Sequence, residues 1–245
     1  MGQATFTCKK FTIKQDQCAM KVSTDACVFG AWAAQKIYHL NLPSPRILDI
    51  GTGTGLLSLM TAQQLTKFDI TAIEIDWAAA MQAKENIEKS PWNTSIHLIH
   101  ADIKNYFDHK CFDIIISNPP FFERDLPANS PAKNQAFHDS SLTLADLMMA
   151  SRTLLKTMGH LYLILPASRK NDLERSCESL DFVVTACCSI KPSEYKSVSR
   201  ILVECRKRVE ANTTVRDDSL LVIQGQHNGY SEDASKLLKD YYLNL

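Results

Sequence analysis

The most informative stretch of the chain is Ile47-Leu-Asp-Ile-Gly-Thr-Gly-Thr-Gly-Leu56, in which an apolar strand enters a glycine-rich turn and a helix follows. Glycines at such a turn let the backbone bend sharply and approach a ligand closely. Leu56 and Ser58 stand where a dinucleotide fingerprint needs its last glycine, and no Gly-Lys-Ser/Thr of a phosphate-binding loop follows. A pyrophosphate ligand is therefore disfavoured.

Outward from this turn, apolar runs alternate with helical patterns. The runs predict seven strands, at 46–50, 69–75, 95–100, 112–117, 160–165, 182–190 and 199–205. Helical spacing is found at 18–37, 55–65, 77–89, 142–155, 168–179 and 231–242. This alternation predicts an α/β, Rossmann-like fold: a mostly parallel seven-stranded sheet with helices on both faces. The last two strands follow one another closely, which suits an antiparallel strand at the sheet edge.

Composition narrows the class of protein. Formal net charge is zero, so any surface for a polyanion must be a local patch. The eight cysteines have neither C-x-x-C nor zinc-ligand spacing, so neither a metal site nor a disulfide framework is predicted. No apolar run approaches a membrane span, and the first residues lack a signal-peptide core. We expect a monomeric, cytoplasmic protein without metal.

Three acidic residues accompany the glycine turn. Asp49 precedes it and can orient the loop or contact an ammonium group. Glu74 ends the second strand, where an acid can accept both ribose hydroxyls of a nucleoside. Asp102 follows the third strand and can contact an adenine amino group, although a capping role competes; Asp76 is interpreted as the cap of the helix that begins near Trp77. Three acids without a phosphate grip predict a cationic nucleoside cofactor, S-adenosylmethionine.

The fourth strand runs directly into Asn118-Pro119-Pro120-Phe121. The Asn118 side-chain oxygen and the Pro119 carbonyl can accept both N–H bonds of an exocyclic amine, which orients it and favours positive charge on its nitrogen. Phe121 offers a flat face for a planar target such as a flipped-out base. A proline-rich turn with Phe121 in the core is the alternative, and the position after this strand favours catalysis.

With these motifs the chain resembles the class I methyltransferases that act on planar amines through an N-P-P-[YF] loop. More closely, it resembles the bacterial family of tRNA(Val) adenine-N6 methyltransferases, which modify the adenine on the 3′ side of the anticodon. The stretches that carry the resemblance cover nearly the whole chain and include Met20-Lys-Val-Ser-Thr-Asp25, Asp49 to Gly55, Ser90-Pro-Trp92 and Ser117-Asn-Pro-Pro-Phe-Phe122.

The resemblance implies a site for S-adenosylmethionine and a tRNA adenine. The residues that it assigns to the target adenine are Asn118, Pro119, Pro120 and Phe121. Those that it assigns to the cofactor are Thr24, Asp25, Asp49, Gly51, Gly53, Gly55, Glu74 and Asp102. Thr24 and Asp25 are expected at the methionine end, Glu74 at the ribose and Asp102 at the base.

One domain is expected, in three parts. Residues 1–45 are expected to cover the cofactor, residues 46–205 to form the core sheet, and residues 206–245 to extend it. Within the core, residues 123–140 carry prolines and asparagines without periodicity, which predicts a long surface loop.

Three other functions use related sequence features. A protein-glutamine N5 methyltransferase has a larger domain before the glycine turn, and a guanine-N2 rRNA methyltransferase has a longer, duplicated chain. An RNA-binding module with an idle cofactor site needs no complete set of cofactor residues.

Cationic residues for RNA phosphates occur in clusters, and the sequence does not reveal whether they share a face. They are Lys9, Lys10 and Lys14; Arg169 and Lys170; Lys191, Lys196 and Arg200; and Arg206, Lys207 and Arg208.

Overall fold

An eight-stranded sheet forms the centre of the computed structural model, which describes residues 4–18, 20–120, 142–209, 216–225 and 229–245. Its strands are β3 (Arg46–Ile50), β4 (Asp69–Glu74), β5 (Ile96–His100), β6 (Phe112–Ser117), β7 (Leu155–Pro166), β8 (Phe182–Ser193), β9 (Arg200–Lys207) and β10 (Asp217–Gln224). A separate hairpin pairs β1 (Thr5–Thr7) with β2 (Thr12–Lys14). The helices are α1 (Thr24–His39), α2 (Leu56–Gln64), α3 (Trp77–Glu88), α4 (Leu144–Leu154), α5 (Lys170–Ser179) and α6 (Glu232–Leu238).

The strand order of the large sheet is β10-β8-β9-β7-β6-β3-β4-β5. Strands β3 to β7 are parallel to their neighbours among themselves, and only β9 runs antiparallel to β7 and β8. The chain proceeds from β3 outward to β4 and β5, then returns to the other side of β3 with β6. In open α/β sheets, ligands bind outside the carboxyl ends of the strands at this reversal.

Burial explains why the central strands lack a polar face. Helices cover both sides of the sheet, so successive residues of one strand enter different cores: Ile47 packs toward α1, α2, α3 and α6, whereas Leu48 packs toward α4 and α5. The same alternation places Ile114 and Ile115 on opposite faces. In the described part of the chain, no helix combines the length and the apolar character that crossing a bilayer requires.

The fold class and the seven expected strands are confirmed, with two differences in the sheet. An eighth strand, β10, forms from the segment expected to be an extension, and it pairs parallel to β8. The last two expected strands, β8 and β9, form an antiparallel pair as predicted, but β10 lies outside them and forms the edge of the sheet. The expected loop at 123–140 lies outside the described residues.

The first helix begins later than the periodicity indicates. The Ser23 side chain accepts a hydrogen bond from the Ala26 backbone N–H at 3.2 Å, so α1 starts at Thr24 instead of residue 18. At the other end of the chain, α6 stops at Leu238, four residues before the expected end. Both errors come from apolar residues that continue the helical spacing without being helical.

The hairpin β1–β2 precedes a segment that reaches the functional end of the sheet. Asn86 of α3 fastens this segment: its Oδ1 accepts from the Lys14 N–H at 2.8 Å, and its Nδ2 donates to the Lys14 carbonyl at 3.0 Å. The same Nδ2 donates to the carbonyl of Thr54 in the glycine turn at 2.9 Å. Gln82 supports the segment further, since its Oε1 accepts from the Gln17 N–H at 2.9 Å.

Candidate active site

A cavity of about 520 Å³ opens at the carboxyl ends of β3, β4 and β6. It brings five of the predicted site residues into one lining: Gly51, Gly53, Glu74, Asp102 and Asn118. These residues come from four separate loops of the chain, and the reversal of strand order is what places the loops side by side. The volume is in the range of pockets that hold nucleoside-sized ligands.

The glycine turn has the backbone conformation that its sequence predicts. Gly51, Gly53 and Gly55 have φ angles of +69°, +58° and +85°, which side-chain-bearing residues rarely adopt. A Cβ built on Gly51 or Gly53 would meet no atom within 4 Å, so the space beside these two residues is open to a ligand. Gly55 caps α2 and does not line the cavity.

Asp49 lies beneath the turn, fully buried. Its Oδ2 accepts hydrogen bonds from Thr52 Oγ1 and Ser58 Oγ, both at 2.7 Å, while its Oδ1 is buried without a partner among the described residues. Burial raises the pKa of this carboxyl group to about 6, although the two hydroxyl donors act in the opposite direction. The position supports the predicted role of orienting the loop; Asp49 does not itself line the cavity.

Glu74 at the end of β4 is 8% exposed and lines the cavity. Its Oε2 accepts from the Gly53 N–H at 2.8 Å, and its Oε1 accepts from the N–H groups of Ile75 and Asp76, both at 2.9 Å. The carboxylate therefore connects the glycine turn to the loop after β4. A carboxylate has about four acceptor positions, so capacity remains for a ligand hydroxyl.

Asp102 caps a helical turn and also lines the cavity, and its predicted contact with an adenine amino group stays a prediction. Its Oδ1 accepts from the Lys104 N–H at 2.9 Å and caps a single helical turn, Ile103–Asn105, while the residue also lines the cavity. The Lys104 ammonium lies 3.6 Å from Asp102 Oδ2 and belongs to the same lining. Asp76 is the N-cap of α3, as expected, and accepts from the Ala79 N–H at 2.8 Å.

Asn118 follows Ser117, the last residue of β6, and a hydrogen bond holds Ser117 in place. The Ser117 hydroxyl donates to the Ile50 carbonyl at 2.7 Å, which fastens the ends of β6 and β3 together below the cavity. Asn118 is half-buried, lines the cavity and makes no hydrogen bond to another described residue. Pro120 also lines the cavity, Pro119 is buried beside it, and Phe121 lies outside the described residues.

The start of α1 lies beside the cavity, although the two residues assigned there are not in its lining. Thr24 is exposed, and Asp25 forms an ion pair with Arg200, with Asp25 Oδ2 3.4 Å from Arg200 Nε. Their neighbours line the wall instead; these are Cys18, Met20, Lys21, Val22, Ser23 and Ala26. Ser23, the N-cap of α1, is the residue that marks in the sequence where this helix begins, and it lines the cavity itself.

Comparison with known proteins identifies a family. Residues 33–183 match the family model described as the methyltransferase small domain. A protein of Dyadobacter fermentans named tRNA1(Val) (adenine(37)-N6)-methyltransferase is 38% identical over 242 residues, which are 99% of this chain and 98% of that relative. A protein of Trichodesmium erythraeum with the same name is 37% identical over 250 residues, with 99% of each chain covered.

Solved structures share the fold at lower identity. A chain from Agrobacterium tumefaciens, described as a predicted O-methyltransferase, superimposes with a TM-score of 0.65 at 19% identity, covering 88% of this chain and 96% of the other. A ribosomal protein L11 methylase from Lactobacillus delbrueckii subsp. bulgaricus superimposes with a TM-score of 0.56 at 16% identity, covering 80% and 84%.

Proposed function

The chain belongs to the family of tRNA1(Val) (adenine(37)-N6)-methyltransferases, and on that premise we propose that it methylates the exocyclic N6 of an adenine in tRNA with S-adenosylmethionine as the donor. The target proposed is the adenine on the 3′ side of the anticodon of a valine tRNA. The observation that carries this proposal is one cavity that joins a glycine turn, two carboxylates and the Asn118 amide.

The lining fits a cationic nucleoside in two respects. The positive-φ glycines leave open space where side chains would otherwise stand, and buried Asp49 below them has an oxygen without a partner among the described residues. We assign Glu74 to the ribose hydroxyls and Asp102 to the adenine amino group, with Thr24 and Asp25 positioning the wall near the methionine end. When bound, S-adenosylmethionine supplies an electrophilic methyl group on a sulfonium centre.

Asn118 is assigned to the target amine. The Asn118 side-chain oxygen and the Pro119 carbonyl accept its two N–H bonds, which orients the nitrogen and stabilises positive charge as the new N–C bond forms. Pro119 and Pro120 have no backbone N–H that competes for these acceptors, and their fixed φ angles keep the loop stiff. Phe121 is assigned to stacking on the adenine ring, and the displaced proton passes to solvent.

Similarity over the whole chain favours this substrate over the other two methylation reactions. The relatives that match 98–99% of their own length carry tRNA adenine names, rather than names of guanine-specific rRNA enzymes or protein-glutamine enzymes. The intact cofactor lining also argues against an idle RNA-binding module.

Nucleoside mass spectrometry tests the proposal. Unmodified valine tRNA transcript is incubated with the protein and isotope-labelled S-adenosylmethionine, then digested. We expect labelled N6-methyladenosine, and none from a transcript in which guanine replaces the adenine 3′ of the anticodon. Labelled N2-methylguanosine, or label only in protein, would refute the proposed substrate.

A further inference from the structure

The connection between β8 and β9 carries an aromatic side chain far from any core. We call residues 191–200, Lys191-Pro-Ser-Glu-Tyr-Lys-Ser-Val-Ser-Arg200, the basic hairpin. Tyr195 at its turn is 96% exposed. Large aromatic residues on a free surface are enriched where a partner binds, because they add contact area at a small entropic cost.

The strand directions place the basic hairpin at the end of the sheet where β6 and β7 finish, which is the end that carries Asn118. Strand β9 is antiparallel to both β7 and β8, so the carboxyl end of β8 lies at the same edge as the carboxyl ends of β7 and β6. Asn118 follows β6, which is three strands away in the sheet order. At the usual spacing between strands, this separation is roughly 14 Å.

Two contacts hold the base of the hairpin against the cavity wall. The Ala167 N–H donates to the Ser199 carbonyl at 3.1 Å, which joins the hairpin to the exit of β7. Arg200 pairs with Asp25, whose neighbours Ser23 and Ala26 line the cavity. The tip of the hairpin is therefore exposed, while these two contacts fix its base beside the cavity.

The hairpin is also rich in cations. It has three cationic side chains and one carboxylate, Glu194. Lys191 Nζ donates only to the Glu194 backbone carbonyl, at 3.1 Å, and Lys196 forms no ion pair with a described residue. An exposed aromatic ring flanked in sequence by two lysines that form no ion pair with a described residue is the arrangement that single-stranded nucleic acid recognition uses: bases stack on the ring and phosphates approach the cations.

We propose that the basic hairpin docks a single-stranded part of the RNA substrate, with an unpaired base stacked on Tyr195 and flanking phosphates beside Lys191 and Lys196. This inference rests on the proposed function, because the docked strand is the one that carries the target adenine. The hairpin holds the strand close to the cavity while the target base enters toward Asn118. Tyr195 is a positioning residue that acts on RNA affinity and leaves the transfer step itself unchanged.

Substitution of Tyr195 tests the stacking contact. For Tyr195→Ala we expect the Kd for valine tRNA, measured by fluorescence anisotropy, and the KM for methylation to rise between about fivefold and a hundredfold, the range of base–aromatic stacking. We expect kcat to stay within twofold, the Kd for S-adenosylmethionine to stay unchanged in calorimetry, and Tyr195→Phe to restore the wild-type values. Tyr38→Ala is the matched control, since Tyr38 is 57% exposed near the opposite end of α1.

Substitution of Lys196 tests the phosphate contact. Lys196→Gln should reduce the slope of log affinity against log salt by about 0.7, the value for one phosphate of a single strand. Lys67→Gln is the control, because Lys67 is exposed before β4 at the other edge of the sheet. A wild-type slope in Lys196→Gln, or an equal loss in the control, would contradict this contact.

The outcomes separate this inference from the proposed function. If wild-type protein methylates tRNA and Tyr195→Ala has the same KM and Kd, docking by the hairpin is wrong and the proposed function stands. If wild-type protein neither binds nor methylates tRNA, the proposed function is wrong and the docking proposal fails with it.

Discussion

We call the end of the large sheet at which its parallel strands begin the amino edge, and the end at which they finish the carboxyl edge. The two differ in how they use charged residues. At the amino edge, Arg46 is paired with Asp108 at 2.9 Å and lies over the Phe112 ring, and Lys156 is paired with Asp113 at 2.8 Å. At the carboxyl edge, Glu74 and Asp102 accept backbone N–H groups and line a cavity, and the ion pairs there, Asp102–Lys104 and Asp25–Arg200, lie in or beside its wall. The amino edge therefore stabilises the chain, whereas the carboxyl edge is organised for ligands.

The largest effect is expected from Asn118→Ala at the carboxyl edge. Methyl transfer should fall about a hundredfold or more, since loss of a positioned acceptor removes stabilisation of the charge that develops on the amine. The Kd for S-adenosylmethionine should change by no more than a few fold. Transfer of tritium from the labelled cofactor and calorimetric titration measure the two quantities. Asn93→Ala, on the exposed loop after α3, is the control; full activity of Asn118→Ala would remove its assigned role.

Glu74→Ala should weaken cofactor binding by roughly tenfold to a hundredfold, the range for hydrogen bonds to a charged group. Both the ribose contact and the Gly53 N–H bond are lost with the carboxylate. Glu74→Gln should lose less, because its amide oxygen still accepts one bond. An unchanged Kd in Glu74→Ala, measured calorimetrically, would rule out this contact.

We expect the buried carboxyl group of Asp49 to make the free energy of unfolding depend on pH. Its pKa is raised to about 6 in the folded protein, so folded chains hold this proton at a pH where unfolded chains have released it. Its contribution to stability is complete below about pH 4 and is lost as the pH rises to about 6, by up to about 3 kcal/mol. Denaturant unfolding of wild type and Asp49→Asn between pH 4 and 7 measures this: the variant should gain stability relative to wild type as pH rises. A difference that stays constant with pH would exclude the shift.

Arg46→Ala tests whether the amino edge contributes to stability without affecting activity. We expect the free energy of unfolding to fall by about 1 to 2 kcal/mol, because ion pairs with Asp69 and Asp108 and hydrogen bonds to two backbone carbonyls are lost. At a temperature where the variant is folded, kcat and KM should equal those of wild type. Lys84→Ala, whose pair with Glu88 is exposed, should change stability by less. A loss of kcat in folded Arg46→Ala would show that the two edges are not separate in function.

The predictability of each element depends on its length and its burial. Strands 46–50 and 112–117 were predicted with their observed bounds, because continuous apolar runs signal burial on both faces. The three-residue strands β1 and β2 are too short to show a period, and β10 begins with three polar residues at the sheet edge. Local apolar patterns therefore do not reveal these strands; β1 and β2 pair only with each other, and β10 depends on pairing with the distant β8.

The residues of the candidate site also differ in how well the sequence predicts them. Gly51, Gly53, Glu74, Asp102 and Asn118 were found because each stands at the end of a predicted strand, and the topology of the fold brings strand ends together. Residues 1–45 were expected to cover the cofactor, but Cys18 and residues 20–23 were not identified as its wall, since the chain just before them is held by side chains of α3 more than sixty residues away. The roles assigned to the lining residues stay predictions until the variants are measured.

The chain immediately before the wall residues is attached to α3. Two hydrogen bonds between Lys14 and Asn86 and one between Gln17 and Gln82 hold it there, and separating it from α3 would cost about 3 kcal/mol. The Asn86 side chain also donates a hydrogen bond to the Thr54 carbonyl in the glycine turn. Such a movement would therefore disturb the glycine turn as well. We therefore expect this part of the chain and the glycine turn to respond together when a ligand binds, because the Asn86 side chain is bonded to both.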